Sequence, residues 1–198
     1  MRRVLRLSPL WRTIEETRGT QAPVTFWMWF IQKVLGVNRE AYWPMHFTSR
    51  VGCVQNIYAG IQTAPGWSPG CYIQGLGRIH IGDYTMLAAN VGIISANHDV
   101  HDHRRHAPSE VHIGKYCWIG MNSSVLPGAK LGDFTVVGAG SVVNKQFPEG
   151  HCVIAGSPAR LIRKLDPAEC VVYRDRHEYY GYIPAAEFPE FRSRYLRV

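Results

Sequence analysis

Three things are scarce in this sequence: paired cysteines, long apolar runs and acidic side chains. The five cysteines, Cys53, Cys71, Cys117, Cys152 and Cys170, are odd in number, widely spaced and contain no CxxC pair. A zinc knuckle and a disulfide framework therefore lack support, and free thiols in a reducing cytoplasm are expected. The most apolar stretch, residues 24–35, is interrupted by Gln32 and Lys33 and is too short to span a bilayer. Residues 1–6 are basic but no apolar run and small-residue cleavage site follow, so no leader is expected and the protein should be soluble or peripheral. Acidic residues number 15 against 22 basic ones, giving a net charge of +7. That excess suits an anionic partner, whether nucleic acid, an anionic membrane surface or a phosphorylated small ligand, and composition does not choose among them.

What is present argues for one ordered domain. Hydrophobic residues make up 46% of 198, which excludes a disordered chain. Aliphatic residues return at every sixth position through Ile113, Ile119, Val125, Leu131, Val137 and Val143, and Gly114, Gly120, Gly132 and Gly138 each follow a slot. Earlier registers read Ile81, Leu87, Ile93 and, before that, Ile61, Trp67, Ile73, Ile79. A period of six is neither the 3.6 of a helix nor the alternation of an antiparallel strand. It describes a short strand, a tight turn and another short strand, three of which close a triangular coil. Stacked coils would superpose the aliphatic slots, each contributing roughly 1.5–3 kcal/mol on burial. Glycine is expected after the slot because the corner needs a residue without Cβ strain.

The register breaks between Ile79 and Ile81 and again between Ile93 and Ile113. Both times the chain re-enters on similar phrases, Ile79-His80-Ile81-Gly82-Asp83 and Val111-His112-Ile113-Gly114-Lys115. The second break reads as a loop over about residues 98–110, thrown out from a continuous coil, and such loops carry function. It holds His98, His101, His103 and His106 within nine residues. Metal binding is disfavoured, since no carboxylate or histidine pair sits at i, i+4 spacing in a predictable helix, and the last three histidines also read as a solvated polar loop. His98 stands where the coil ends, and an imidazole titrating near neutrality can take a proton from a hydroxyl. Asp99 or a backbone carbonyl could orient its other nitrogen. The closing segment, residues 153–164, joins small residues to Arg160, Arg163 and Lys164, which offer charge to phosphates. Its bland reading is a turn running into a solvated basic helix.

The phrases Trp118-Ile119-Gly120, Val125-Leu126-Pro127-Gly128, Val137-Gly138-Ala139-Gly140-Ser141-Val142-Val143 and Ala155-Gly156-Ser157-Pro158-Ala159-Arg160 resemble the hexapeptide-repeat acyltransferases, within them the maltose, galactoside and nodulation-factor O-acetyltransferases. Pro69-Gly70-Cys71-Tyr72-Ile73-Gln74 and Ile94-Ser95-Ala96-Asn97-His98-Asp99 resemble sugar O-acyltransferases of surface-polysaccharide biosynthesis more closely still. The resemblance covers about residues 57–165. It implies an all-β core, a left-handed parallel β-helix, although connections between parallel strands are otherwise right-handed as a rule. It implies a homotrimer with active sites between subunits, acetyl-CoA or a related short acyl-CoA as co-substrate, a saccharide acceptor and no metal. His98 matches the catalytic base. Trp118, Gly120 and Met121 match the acyl and pantetheine channel, Gly138, Ala139, Ser141 and Asn144 the pantetheine contacts, and Ala155, Gly156, Pro158, Arg160 and Arg163 the segment around adenine and phosphates. Asn97 and Asp99 are candidate acceptor contacts, and an amide near Gly120 is the candidate oxyanion donor.

The resulting organisation is an N-terminal, helix-compatible cap over 1–50, the β-helix over 51–165 and a C-terminal extension over 166–198. Serine O-acetyltransferase is the main rival activity, followed by a zinc-dependent γ-class carbonic anhydrase and a non-catalytic scaffold. Nucleic-acid binding is disfavoured, because the charge is dispersed and no recognised motif is present. The aromatic run around Trp27 and Trp29 reads as coil capping or subunit contact. Its alternative is an interfacial helix at the inner membrane face of a cytoplasmic protein.

Overall fold

The computed structural model describes residues 8–198; the basic residues Arg2, Arg3 and Arg6 lie outside them. Three parallel sheets wind into a left-handed β-helix. The first face stacks β1 (Arg50–Gly52), β3 (Tyr72–Gln74), β6 (Gly92–Ile94), β11 (Ser124–Val125) and β14 (Val142–Val143). The second stacks β2 (Ile57–Ala59), β4 (Arg78–Ile81), β9 (Glu110–Ile113), β12 (Lys130–Leu131) and β15 (Gln146–Phe147). The third stacks β5 (Met86–Leu87), β10 (Trp118–Ile119), β13 (Thr135–Val137) and β16 (Cys152–Ala155), and β17 (Arg160–Lys164) closes it antiparallel to β16.

The six slots from Ile113 to Val143 are all buried, as are Ile73, Ile79, Ile81, Leu87 and Ile93. Ile61 and Trp67 depart from the expected column and are only half-buried. Residues 60–70 form turns outside the three sheets, and the Trp67 indole is tied to the Pro23 carbonyl at 3.0 Å. Their place in the column is taken by Ile57 and Ala59, which pair with Ile79 and Ile81. That pairing also explains the first register slip: β4 is long enough to bury two alternate residues, so no coil is broken. The two repeated phrases lie side by side in register, Ile79 on Val111 and Ile81 on Ile113, with the His80 and His112 rings stacked at 4.5 Å.

The glycines after the slots serve a purpose other than corner φ. None of Gly82, Gly114, Gly120, Gly132 and Gly138 has a positive φ, whereas Tyr84, Tyr116 and Phe134 take the left-handed corners with φ of 54–57°. A Cβ on Gly114 would stand 2.6 Å from the Gly132 carbonyl carbon in the next coil, so glycine is required by the approach of coils. The Gly114 and Gly132 carbonyls accept from the buried Thr85 and Thr135 hydroxyls at 2.7 Å, which satisfies polar groups water cannot reach.

Both chain extensions cover the N-terminal end of the coil. The N-terminal one carries α1 (Pro9–Glu16), started by the Ser8 cap, and α2 (Phe26–Trp29), which runs into a wider turn over Phe30–Val34. Gln32, which interrupts the apolar run, is buried; its amide donates to the Asn38, Ala41 and Trp43 carbonyls and its oxygen accepts from the Tyr182 hydroxyl. In the C-terminal extension, α3 (Phe188–Tyr195) stacks Phe188 on Tyr180 and packs it against Tyr42 and Tyr58. No helix among the described residues is long and apolar enough to cross a membrane.

Candidate active site

The expelled loop is a hairpin that leaves the corner between the first and second faces. β7 (Ala96–His98) pairs antiparallel with β8 (His106–Pro108), so the excursion starts at Ala96 and Glu110 is already back in the coil. Its neck is pinned by buried Ser95, whose hydroxyl donates to the Gln74 carbonyl at 2.6 Å and accepts from the Gly77 amide, while the Ser109 amide donates to the Ser95 carbonyl. At the tip, the Asp99 carboxylate accepts the His101 and Asp102 amides at 2.8 and 3.1 Å. Asp102 pairs with Arg104 at 2.8 Å and with Arg105, and the Arg104 hydrogen bond holds its carboxyl below the usual carboxylate range.

His98 is exposed on this braced hairpin. Its Nδ1 lies 2.6 Å from the His103 carbonyl, which can only accept, so in the neutral ring Nδ1 carries the hydrogen and Nε2 offers its lone pair to solvent or substrate. The carbonyl alternative for orienting His98 is thus realised, while Asp99 is spent on the turn. Asn97 is exposed beside it, and the His106 ring, its cross-strand partner, lies 4.4 Å away. Among the described residues, no three histidine, cysteine, aspartate or glutamate side chains converge.

A second cluster runs along the third face. Trp118, 54% exposed, pairs with Met86 on one side and Val136 on the other, and Val136 with Val153, which gives a continuous apolar strip. At its upper end a cavity of about 210 Å³ is lined by Trp67, Met86, Leu87 and Trp118, with Gln21 and Ala22 over it. The sixfold reading passed over Met86, which the hairpin separates in sequence from its partner Trp118, and assigned Trp67 to the core column rather than to this cavity.

At the next corner the expectations divide. The Gly120 amide donates to the Val137 carbonyl at 2.8 Å, so Gly120 itself is no oxyanion donor. The amides of Met121 and Ala139, one coil apart and both exposed, donate to nothing among the described residues. Gly138 keeps that corner thin, because a Cβ there would press on Ala155 at 2.9 Å. Ser141 is buried, and its hydroxyl is engaged within the coil: it donates to the Gly138 carbonyl at 2.6 Å and accepts the Gly156 amide. Asn144 follows β14 and lies at the hairpin's corner, away from Trp118. Ala155 and exposed Gly156 and Pro158 lead to Arg160 and Arg163, both exposed on β17 opposite Ala155 and Val153. The closing segment is therefore a strand, not a basic helix. Within one chain the two clusters occupy different corners, with the first face between them.

Residues 110–145 match the family described as bacterial transferase hexapeptide (six repeats). The galactoside O-acetyltransferase of Escherichia coli (strain K12) is 36% identical over 107 residues, covering 52% of this chain and 49% of that protein. Among solved structures, a maltose O-acetyltransferase from Clostridium difficile 630 is 35% identical with a TM-score of 0.52, covering 60% of this chain and 64% of that one. A galactoside acetyltransferase in complex with coenzyme A is 26% identical with a TM-score of 0.54, covering 70% of each. The chain spans about half the length of the curated relatives that it matches.

Proposed function

We propose that this chain is an acyl-CoA-dependent O-acetyltransferase whose acceptor is a saccharide hydroxyl and whose general base is His98. The similarity to galactoside and maltose O-acetyltransferases supports the reaction class. The observation that carries the mechanism is the 2.6 Å bond from His98 Nδ1 to the His103 carbonyl, which leaves Nε2 as the proton acceptor. His98 takes the hydroxyl proton as the acceptor oxygen attacks the thioester that acetyl-CoA supplies. The Met121 and Ala139 amides offer donors for the negative charge that develops on the carbonyl oxygen. The imidazolium then returns its proton to the departing thiolate, so charge and atoms balance.

The third face is the candidate groove for the co-substrate. Trp118 and Met121 would flank the acyl end, Gly120, Gly138 and Ala139 the pantetheine, and Ala155, Gly156, Pro158, Arg160 and Arg163 the nucleotide. Because the hairpin leaves a different corner, His98 of one copy would serve the groove of a neighbour, as in a homotrimer with shared sites. The assay is thiol release from acetyl-CoA across sugars, nucleotide sugars and serine. Sugar-dependent release is expected; release with serine alone would replace this reading by serine O-acetyltransferase.

A further inference from the structure

The cap carries an apolar face that neither the coil nor the proposed groove uses. On the helical run from Phe26 to Val34, Trp27 is 69% exposed and Phe26 and Val34 are exposed with it, followed by Leu35 at 63%. Phe26 packs its ring against Trp27 and Phe30, so the face is a ring cluster and not isolated side chains. The segment after the helical run is tied to the one carrying exposed Phe47, since the Asn38 side chain donates to the Ser49 carbonyl and the Arg50 guanidinium to the Phe47 carbonyl. Arg39, whose carbonyl accepts from Lys33 of the helical run, and Arg50, whose guanidinium holds the Phe47 carbonyl, are both exposed, and exposed Glu40 follows Arg39.

We propose that this aromatic face is a docking surface for an anionic lipid bilayer. Contiguous exposed apolar side chains mark an interaction site, and tryptophan with phenylalanine beside arginine is the composition that settles at a lipid headgroup boundary. The charge selects the occupant: exposed Arg39 and Arg50 beside a tryptophan and phenylalanine cluster carry positive charge that anionic headgroups neutralise. Trp29 is half-buried in the ring cluster, so Trp27 and Leu35 are the side chains free to enter lipid. The face begins at Thr25, just after the Gln21 and Ala22 that roof the cavity beside Trp118, so docking would hold the candidate groove close to the membrane. The inference stands independently of the proposed reaction.

Flotation of the full chain with vesicles of phosphatidylglycerol and phosphatidylcholine, and with phosphatidylcholine alone, tests it. Wild type is expected to float with the anionic vesicles. Trp27→Ser with Leu35→Ser should lower partitioning at least about tenfold, and Arg39→Gln and Arg50→Gln about fivefold each. Light scattering should give the same mass for wild type and variants. Wild type that does not float, a Trp27→Ser/Leu35→Ser variant that floats equally well, or a variant whose oligomeric mass falls would each overturn the proposal, the last by assigning the face to a second copy.

Discussion

Replacing Gly114 with alanine is expected to destabilise the coil, against the usual direction of that change. At a backbone conformation alanine can adopt, glycine to alanine gains about 0.4–1 kcal/mol by restricting the unfolded chain. Gly114 has such a conformation, since its φ is not positive. Its new methyl, however, would stand 2.5 Å from Asp133 Oδ1, 2.6 Å from the Asp133 amide nitrogen and 2.6 Å from the Gly132 carbonyl carbon. The carboxylate oxygen could rotate aside only by giving up its 2.7 Å bond to the Lys115 amide, and the two backbone atoms have no such freedom. Overpacking of this kind costs about 1–3 kcal/mol, or about 2–12 °C in Tm for a chain of this size. The control is Gly52→Ala in β1, where an added Cβ meets nothing within 4 Å and φ is again ordinary. Urea and thermal unfolding should place Gly114→Ala below wild type and Gly52→Ala at or slightly above it. Equal stability of the two variants would refute close approach of coils as the reason for the post-slot glycines.

Three further outcomes are expected. Burial and the neighbouring His112 imidazole lower the His80 pKa to about 4. A histidine whose folded value lies below its unfolded one contributes stability above the unfolded pKa near 6.5 that is lost as pH falls towards 4; His80→Phe, which keeps a ring in the stack, should unfold with a shallower acid-side slope, and an unchanged slope would discard this site. Arg160→Gln with Arg163→Gln should raise KM for acetyl-CoA about tenfold or more with a smaller change in kcat; an unchanged KM would remove the nucleotide from the β17 edge. Co-refolding His98→Ala copies with equal Ala139→Trp copies should restore about a quarter of wild-type activity if each site joins His98 of one copy to the groove of another. No recovery would place the whole site within one chain.

Legibility of the fold tracked how each face buries its residues. From Ile113 onward each strand contributes one inward aliphatic, and the six-residue period is complete. Where a strand buries two, as Ile79 and Ile81 do, the same period looked broken; where turns intervene, Ile61 and Trp67 took slots belonging to Ile57 and Ala59. Glycine positions were readable but their cause was not, because the clash they avoid lies in the next coil. The extensions have no period, so the stacking of Phe188 on Tyr180 left no mark in the sequence, and Gln32 stood out only as a break in the apolar run. At the candidate site, His98 stood out by its place at the end of a coil. Its carbonyl partner depends on how the hairpin folds, and the separation of Asn144 and the internal bonding of Ser141 and Gly120 depend on which corner each residue occupies.

The most direct test of the account is the rate of acetyl-CoA-dependent acyl transfer to the best sugar by His98→Ala, with acetyl-CoA binding and oligomeric mass measured on the same sample. Loss of about two to four orders of magnitude in kcat, with binding and mass retained, is the result the account predicts. Wild-type turnover by His98→Ala would contradict it, leaving the β-helix in place and the hairpin without its base.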